Sequence, residues 1–340
     1  MFTGGAERLN RPENMVRPRV SILMLTYNRP QFLGTAIRSV LAQTFQNWEL
    51  LVVHDGPNTE IPVIMAEWQK RDTRIRYLRR PVPGNIAEAS NHGLAHSYGE
   101  YIAPLDDDDY WVSEDKLARQ IDFLDGGPEY AGCSAGMIVV DTEGREQMRY
   151  LKPQHDEQIR RHALMANPMT HSAGMYRRKT ALEVGGYDES LRGFQDWDLW
   201  LKLGKTGKLY NFLEYMTGYR VWHGSGSFHQ SKANTRCALQ ITRRHRDSYP
   251  GFAAGYTMAL MYYGYACLPL GVRKVSYSML SRMKKAAFSH NSGKAQPAAA
   301  SVPATASVPP AGSRVSEAPL PEWKTEAASQ ASASGHSPAK

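Results

Sequence analysis

Short apolar runs alternate with amphipathic stretches through the first third of the chain. The apolar runs have the length of buried strands, and the stretches between them repeat apolar residues at helical spacing. Strands are predicted at 20–26, 49–53, 75–78 and 100–105, and helices at 30–41, 61–70 and 86–96. Asn28 is predicted to cap the first helix, with Pro30 in its first turn. This alternation predicts an α/β fold with a mostly parallel sheet flanked by helices.

Polar residues follow three of the predicted strands. Thr26 and Tyr27 follow the first strand, His54 and Asp55 the second, and the acidic run 106–109 the fourth. Ligands of open parallel sheets bind beyond the carboxyl ends of the strands. We therefore expect these groups to converge on one binding site.

The acidic run consists of four consecutive carboxylates, Asp106, Asp107, Asp108 and Asp109. At the reduced dielectric of a cleft, each close pair repels by more than about 1 kcal/mol. A divalent cation relieves that repulsion, and Mg²⁺ or Mn²⁺ is commonly held by one or two carboxylates together with substrate phosphates. The alternative is a solvated acidic turn or the N-terminal cluster of a helix. The position directly after a buried strand favours the metal.

Composition divides the chain into an ordered part and a tail. The whole chain is 42% hydrophobic and 22% charged, as in a globular protein, but Ala, Pro and Ser dominate after about residue 291. The predicted organisation is a flexible N-terminus at 1–17, an α/β domain at 18–230 with a nucleotide-binding half at 18–110 and an acceptor-side half at 111–230, a helical region at 231–290, and a disordered tail at 291–340.

The charge balance favours a phosphate-bearing partner, because Lys and Arg outnumber Asp and Glu by 41 to 33. Two late basic runs are interpreted either as solvated helix faces or as an anionic-membrane contact through 243–285. Between them, 248–272 carries no charge but holds five tyrosines. Its weak hydropathy favours a buried or interface-lying helix pair over a membrane span.

Three separated cysteines and the polar N-terminus indicate a reducing compartment without a secretory signal. We expect a cytoplasmic protein, either free or peripheral at the inner face of the plasma membrane. We expect no nucleic-acid partner.

Three blocks of sequence resemble glycosyltransferase family two, whose members have the GT-A fold. They read VSILMLTYNRPQFLGTAIRSVLAQTFQNWELLVVHDG, then GEYIAPLDDDDYW with the family's DXD element, then VGGYDESLRGFQDWDLWLKL, in the family's order. The resemblance implies inverting transfer of a sugar from a nucleoside-diphosphate sugar to a hydroxyl, with Mn²⁺ or Mg²⁺ as cofactor. It also implies a glycan or lipid-linked acceptor in polysaccharide or cell-envelope biosynthesis.

The resemblance assigns Thr26, Tyr27, Asn28 and Asp55 to the nucleotide-sugar. Tyr27 would stack on the base, the alternative being a core tyrosine. Asp55 would accept a hydrogen bond from an imide N–H, which favours UDP- or dTDP-sugars. His54 stands where the family usually has a first Asp, so the base identity is less certain.

Asn91 matches the Asn of the family's A-R-N element and is also assigned to the donor. Ser90 stands in place of the Arg of that element. The charge of the diphosphate must therefore be met by the metal or by another cation.

Within the acidic run, the resemblance assigns Asp106 and Asp107 to the donor and Asp106, Asp108 and Asp109 to the metal. Asp107 fills a position that varies in the family, so it is expected to be the least essential. His223 is a further candidate metal ligand, the alternative being a surface or satisfied core histidine.

Asp196 is the candidate catalytic base, because it matches the family's acidic residue at the start of a helix. The positive end of the helix favours an ionised carboxylate there, and inverting transfer needs one to take the acceptor's proton. The alternatives are that Asp196 only caps the helix or that Asp198 is the base. Gln195 replaces the Glu that usually precedes this Asp in the family. A separate candidate, His171, either lines the acceptor cleft or lies at the end of a strand.

Two other functions remain open. A nucleotidyltransferase is disfavoured, because Thr-Tyr-Asn-Arg-Pro replaces the usual glycine-rich loop after the first strand. A catalytically degenerate nucleotide- or glycan-binding module is allowed by His54 and Ser90, but the acidic run and Asp196 speak against it.

Overall fold

The computed structural model describes residues 17–221 and 232–268. The first elements alternate as predicted: β1 (Val20–Thr26), α1 (Pro30–Leu41), β2 (Trp48–His54), α2 (Glu60–Arg71), β3 (Ile75–Arg79), α3 (Ile86–His96) and β4 (Tyr101–Asp106). The later elements are β5 (Tyr110–Trp111), α4 (Lys116–Gly126), β6 (Tyr130–Val140), β7 (Glu146–Tyr150), α5 (Asp156–His162), a 3₁₀ turn (His171–Ala173), β8 (Met175–Arg177), α6 (Arg178–Glu183), α7 (Gln195–Thr206), β9 (Lys208–Arg220), α8 (Lys232–Arg244) and α9 (Phe252–Cys267).

The described strands form one mixed sheet in the order β3-β2-β1-β4-β8-β6-β9-β5, with β7 paired to β6. The four strands β3, β2, β1 and β4 are parallel, as predicted. β8 is antiparallel to both β4 and β6, so the direction reverses in the middle of the sheet. The α/β prediction is confirmed, and the parallel arrangement describes the first half of the sheet.

Helices cover both faces of the parallel half, because its strands are apolar on both sides. Ile22 and Met24 of β1 pack with Leu33 and Ile37 of α1. Leu23, on the other face, packs in a second core with residues of α3 and α7. Burial on both faces explains why these strands read as continuous apolar runs.

The start of α1 corrects one prediction. Pro30 stands in the first turn as expected, but Arg29 and not Asn28 occupies the cap position, without a side-chain cap bond. Asn28 instead accepts a 2.9 Å hydrogen bond from the Asn58 amide, which follows β2. A partner from another loop therefore overrides the local capping preference.

The described helices α8 and α9 pack beside α7 in a third core. No helix in 17–221 or 232–268 is long and apolar enough to cross a membrane. All three cysteines are free. The predicted tail, the basic residues 282–285 and His223 lie outside the described residues.

Candidate active site

The ends of β1 and β2 touch at the predicted edge of the sheet. The Asp55 amide donates to the Thr26 carbonyl at 3.1 Å. A Cβ on Gly56 would lie 1.7 Å from the Tyr27 carbonyl oxygen, so only glycine allows this approach. The contact holds Tyr27 and Asp55 side by side.

Tyr27 and Asp55 differ in how they are presented. Tyr27 is 54% exposed, which excludes the core-tyrosine alternative. The buried Asp55 carboxylate accepts from Arg80 Nη1 at 2.8 Å and from the Gly84 amide at 3.1 Å. Asp55 is thus fixed by a cation and a loop, at the position predicted for base recognition.

His54 lies entirely inside the fold, where its Nδ1 bonds the Tyr77 hydroxyl at 2.8 Å. Burial, with the nearby charge of Arg79, lowers the pKa of His54. A neutral buried imidazole packs beneath the sheet edge, so the structure gives it a packing role where the family has an acid.

Arg29 bridges the middle of the acidic run. Its Nη2 lies 2.5 Å from Asp107 Oδ1, and its Nη1 lies 2.6 Å from Asp108 Oδ2. Asp107 is fully buried, and burial raises its pKa to about 7 although the Arg29 charge opposes the rise. Asp107 therefore anchors the guanidinium inside the site, and the expectation that it is the least essential of the four stays a prediction.

Asp109 holds three segments together. It accepts from the Ser172 hydroxyl at 2.5 Å and from the Arg220 amide at 2.9 Å. Burial and the charges of Asp108 and Asp106 raise its pKa well above the usual range. Both oxygens are already bonded within the fold, and the role of Asp109 as a metal ligand stays a prediction.

Asp106 is the last residue of β4. Burial, and then the charge of Asp108, raise its pKa, while His171 and Arg29 oppose the rise. Asp196 also contributes to the rise. One short segment contacts both carboxylate groups, since Asn167 donates to Asp196 and the Ser172 hydroxyl donates to Asp109.

Asp196 lies in the first turn of α7, partly buried. Its carboxylate accepts a 2.7 Å hydrogen bond from Asn167 Nδ2. Phe194, two residues before Asp196, has a left-handed backbone with φ 58°. Residues other than glycine rarely adopt this conformation, and those that do are found preferentially at functional sites. Asp196 is thus a partly exposed carboxylate at a helix start, held by Asn167.

A buried lysine supports the segment that carries Asn167. Lys152 Nζ donates to the carbonyls of Asn167 and Met169, both at 2.8 Å. Burial lowers the pKa of Lys152 to about 8, with Asp196 acting in the opposite direction. Neither Lys152 nor Asn167 was predicted, because contacts to backbone carbonyls have no sequence motif.

His171 lies under the cleft and not on a strand end. It begins the 3₁₀ turn, with Nε2 3.4 Å from the Tyr187 hydroxyl and its ring edge-on to Trp200. Its charge lowers the pKa of Asp106, so it neighbours the acidic run.

Asp198 is excluded as the base by its surroundings. It is fully buried between Lys202 Nζ at 3.0 Å, Arg244 Nη1 at 2.9 Å and His245 Nε2 at 2.9 Å. Burial alone would raise its pKa, but the hydrogen bond to His245 and the charges of Lys202 and Arg244 bring it well below the usual range. Asp198 joins α7 to α8 and has no free face towards the cleft.

Asn91 is bonded within the fold, and its predicted contact with the donor stays a prediction. Its amide donates to the Tyr187 carbonyl and to Glu189 Oε1, both at 2.8 Å, and its oxygen accepts from the Tyr187 amide. Ser90 bonds the Ile86 carbonyl within its own helix. In the part of α3 that resembles A-R-N, neither side chain is available for a diphosphate.

Arg29 is the functional candidate that the sequence reasoning missed. The substitution of Ser90 for the family's Arg already implied a cation from elsewhere. The structure places one on the acidic run, from the loop between β1 and α1.

Comparison with known proteins matches this geometry to a family. The model of "Glycosyl transferase family 2" matches residues 21–185. The putative glycosyltransferase EpsE of Bacillus subtilis is 30% identical over 215 residues, which cover 62% of this chain and 75% of EpsE. The chain belongs to glycosyl transferase family 2. The amylovoran biosynthesis glycosyltransferase AmsE of Erwinia amylovora is 28% identical over 192 residues, covering 55% of this chain and 70% of AmsE.

Solved structures of low identity share the fold of this family 2 glycosyltransferase. S. aureus TarS 1-349 in complex with UDP-GlcNAc has a TM-score of 0.57 at 15% identity, covering 79% of this chain and 77% of that one. Mannosyltransferase PcManGT from Pyrobaculum calidifontis, in complex with GDP-Man and Mn²⁺, has a TM-score of 0.55 at 15% identity, covering 80% and 81%. The fold is GT-A, and the protein is a glycosyltransferase. In longer Rickettsia relatives the chain spans 38% of the relative's length.

Proposed function

We propose that the protein is an inverting, divalent-metal-dependent glycosyltransferase that uses a nucleoside-diphosphate sugar, with Asp196 as the base. What carries the proposal is the segment 167–172, which contacts both the candidate base and the acidic run: Asn167 Nδ2 donates to Asp196 at 2.7 Å, and the Ser172 hydroxyl donates to Asp109 at 2.5 Å. This arrangement suits a reaction that needs a cation site on one side and a proton acceptor on the other.

The carboxylates of the acidic run fit a hard divalent cation by their chemistry, since oxygen ligands suit Mg²⁺ and Mn²⁺. Asp106 and Asp108 would hold it, because Asp109 is bonded within the fold. Within 17–221 and 232–268, no three His, Cys, Asp or Glu side chains are grouped to hold an ion by themselves. Phosphate oxygens of the donor would therefore complete the shell. When bound, the metal would stabilise the charge of the departing diphosphate.

Asp196 would take the proton of the acceptor hydroxyl. As that proton leaves, the acceptor oxygen forms a bond to the anomeric carbon, and the bond from that carbon to the diphosphate oxygen breaks on the opposite face. The nucleoside diphosphate leaves with the electron pair. Asn167 holds the Asp196 carboxylate in one orientation for this step.

Tyr27 and Asp55 would bind the base of the donor. An exposed aromatic ring next to a buried carboxylate suits stacking with one hydrogen bond to an imide N–H. This favours a uracil or thymine base. The fold neighbours bind UDP-GlcNAc in TarS and GDP-Man in PcManGT, so both uridine and guanosine donors are to be tested.

The acceptor is proposed to be a growing or lipid-linked glycan, in line with the biosynthetic role in the name of AmsE. The uncharged helix α9 exposes Leu260 and Met261, and Arg243 lies against it on Tyr256. This surface suits peripheral contact with an anionic membrane. Co-sedimentation with anionic vesicles should fall when Leu260 and Met261 are both replaced by Asn; unchanged co-sedimentation would refute the contact.

The experiment for the proposed activity is hydrolysis of a panel of nucleotide-sugars, with and without Mn²⁺. Asp108→Ala should lose turnover together with Mn²⁺-assisted nucleotide binding. Asp196→Ala should lose turnover but still bind the nucleotide. Asp122→Asn, on the exposed side of α4, is the control and should behave as wild type. Nucleotide binding without turnover by the wild type would favour the binding-module alternative.

A further inference from the structure

Arg29 forms an ion pair with Asp108, one of the carboxylates proposed to hold the divalent ion. Its two terminal nitrogens lie on Asp107 and Asp108, from a residue that is not part of any strand or helix. The Arg29 side chain is 23% exposed, so part of it is open to solvent. It is therefore buried by its partners and still within reach of a ligand.

The other cations described around the cleft are bonded elsewhere. Arg80 pairs with Asp55 and Glu88. Arg220 donates to the backbone carbonyls of Asp108, Asp141 and Thr142. These carbonyl contacts fix Arg220 in the fold. Within residues 17–221 and 232–268, Arg29 pairs with two side chains of the run, Asp107 and Asp108.

The charges of the acidic run explain why Arg29 is held so firmly. Burial alone would lower the pKa of Arg29, but the four carboxylates raise it. A divalent ion on Asp108 would bring two more positive charges next to this guanidinium. Two unit charges about 4 Å apart repel by about 4 kcal/mol at an effective dielectric of about 20, and a divalent ion doubles that repulsion. Binding of the ion next to Arg29 is therefore strongly disfavoured unless a further anion enters.

We propose that Arg29 and the divalent ion exclude each other from Asp108, and that the diphosphate of the donor is the alternative partner that releases Arg29. The inference rests on the proposed function. Arg29 thereby replaces the Arg that Ser90 removes from α3, and it makes metal binding depend on the donor. A planar guanidinium is suited to both roles, because it pairs bidentately with carboxylates and with phosphates.

The inference predicts effects of opposite sign from one substitution. In Arg29→Gln, Mn²⁺ alone should bind about tenfold more tightly, because its competitor is gone. UDP or GDP in saturating Mn²⁺ should bind about tenfold more weakly, because a phosphate partner is gone. The factor by which the nucleotide tightens Mn²⁺ binding should fall accordingly, since that coupling is reciprocal.

The test is a Mn²⁺ titration of the full chain followed by electron paramagnetic resonance, with and without UDP or GDP, combined with calorimetry of the nucleotide. Arg38→Gln, on the exposed side of α1, is the matched control and should match wild type. Arg29→Lys keeps one charge and should give intermediate values. Asp108→Ala should abolish the Mn²⁺ signal that the proposal assigns to this site.

Several outcomes would overturn the inference. Mn²⁺ affinity that is unchanged or lower in a folded Arg29→Gln would show that Arg29 only positions the carboxylates. Should that variant not fold, the wild type decides: Mn²⁺ affinity that is equal with and without nucleotide refutes the exclusion. A wild type that binds neither UDP nor GDP with Mn²⁺ counts against the proposed function itself, which separates the two failures.

Discussion

Asp196 and Asp198 lie two residues apart on α7, and substituting each in turn should distinguish an effect on catalysis from an effect on stability. Asp196→Asn and Asp198→Asn make the same chemical change at nearly the same place in the chain. We expect the first to remove turnover and leave the fold intact, and the second to weaken the fold.

The magnitudes follow from the contacts. Removing one side of a buried ionic cluster costs about 3–5 kcal/mol, because the partners are left buried and unpaired. Arg244 also pairs with Asp188, and Lys202 also donates to the Gly186 carbonyl, so we expect the lower end, about 3 kcal/mol. Asp196 is partly buried with one hydrogen bond from Asn167, so its change should cost about 1 kcal/mol or less.

The assays are thermal unfolding of the folded chain and turnover of the donor identified by the panel. Asp198→Asn should lower the midpoint of thermal unfolding by roughly 6–12 °C, from 2–4 °C per kcal/mol for a domain of this size. Asp196→Asn should lower kcat about 10²–10⁴-fold, the usual contribution of a general base, with nucleotide affinity unchanged.

The reasoning is refuted if the two variants exchange behaviours. Full stability with lost turnover in Asp198→Asn would make Asp198 the base despite its bonds to Lys202, Arg244 and His245. Wild-type turnover in a folded Asp196→Asn would show that no carboxylate is needed at this position.

Three further predictions concern single contacts. Asn167→Ala should lower kcat about tenfold without changing nucleotide affinity, because the Asp196 carboxylate loses its orienting bond; an equal loss of nucleotide affinity would argue against this. Gly56→Ala should destabilise the fold by about 1–3 kcal/mol and weaken nucleotide binding, since its Cβ meets the Tyr27 carbonyl; Gly126→Ala, with open space around it, is the control in urea denaturation. Burial lowers the pKa of Lys116 to about 7. Above that pH the folded state binds fewer protons than the unfolded state, whose pKa at this group is about 10.4. The free energy of unfolding therefore increases as the pH rises from about 7 towards about 10.4. Lys116→Met should remove that gain, so its stability relative to wild type should drop by more than about 1 kcal/mol between pH 7 and 9; a difference that is constant with pH would contradict the burial argument.

The parallel half of the sheet could be predicted because each element carries its own pattern. A strand buried on both faces is a continuous apolar run, and the connecting helices repeat at 3.6 residues. The second half offers no such pattern. β6 and β9 pair over a long ladder although they are separated by more than sixty residues, and the register shifts three times along it. Pairing at that distance is decided by packing and not by local sequence.

The candidate site, like the sheet, could be predicted only in part. Its position at the strand ends was predictable from topology, and the choice between Asp196 and Asp198 was not. Both carboxylates lie in the first turn of a helix, and only their partners from other segments distinguish them. Asn167 approaches Asp196 across 29 residues, and His245 approaches Asp198 across 47.

The loss of an arginine from α3 and the presence of Arg29 on the acidic run are two parts of one charge balance. Buried carboxylates need a positive partner in every state of the protein, because an unpaired buried charge is costly. A donor adds two negative phosphates, and a divalent ion adds two positive charges, so the pair can enter together with little change in the total. A metal entering alone would have to displace Arg29 from Asp108, and a nucleotide entering alone would meet the carboxylates with Arg29 only. The order in which metal and donor bind is thus a consequence of where one guanidinium lies, and it can be measured without knowing the acceptor.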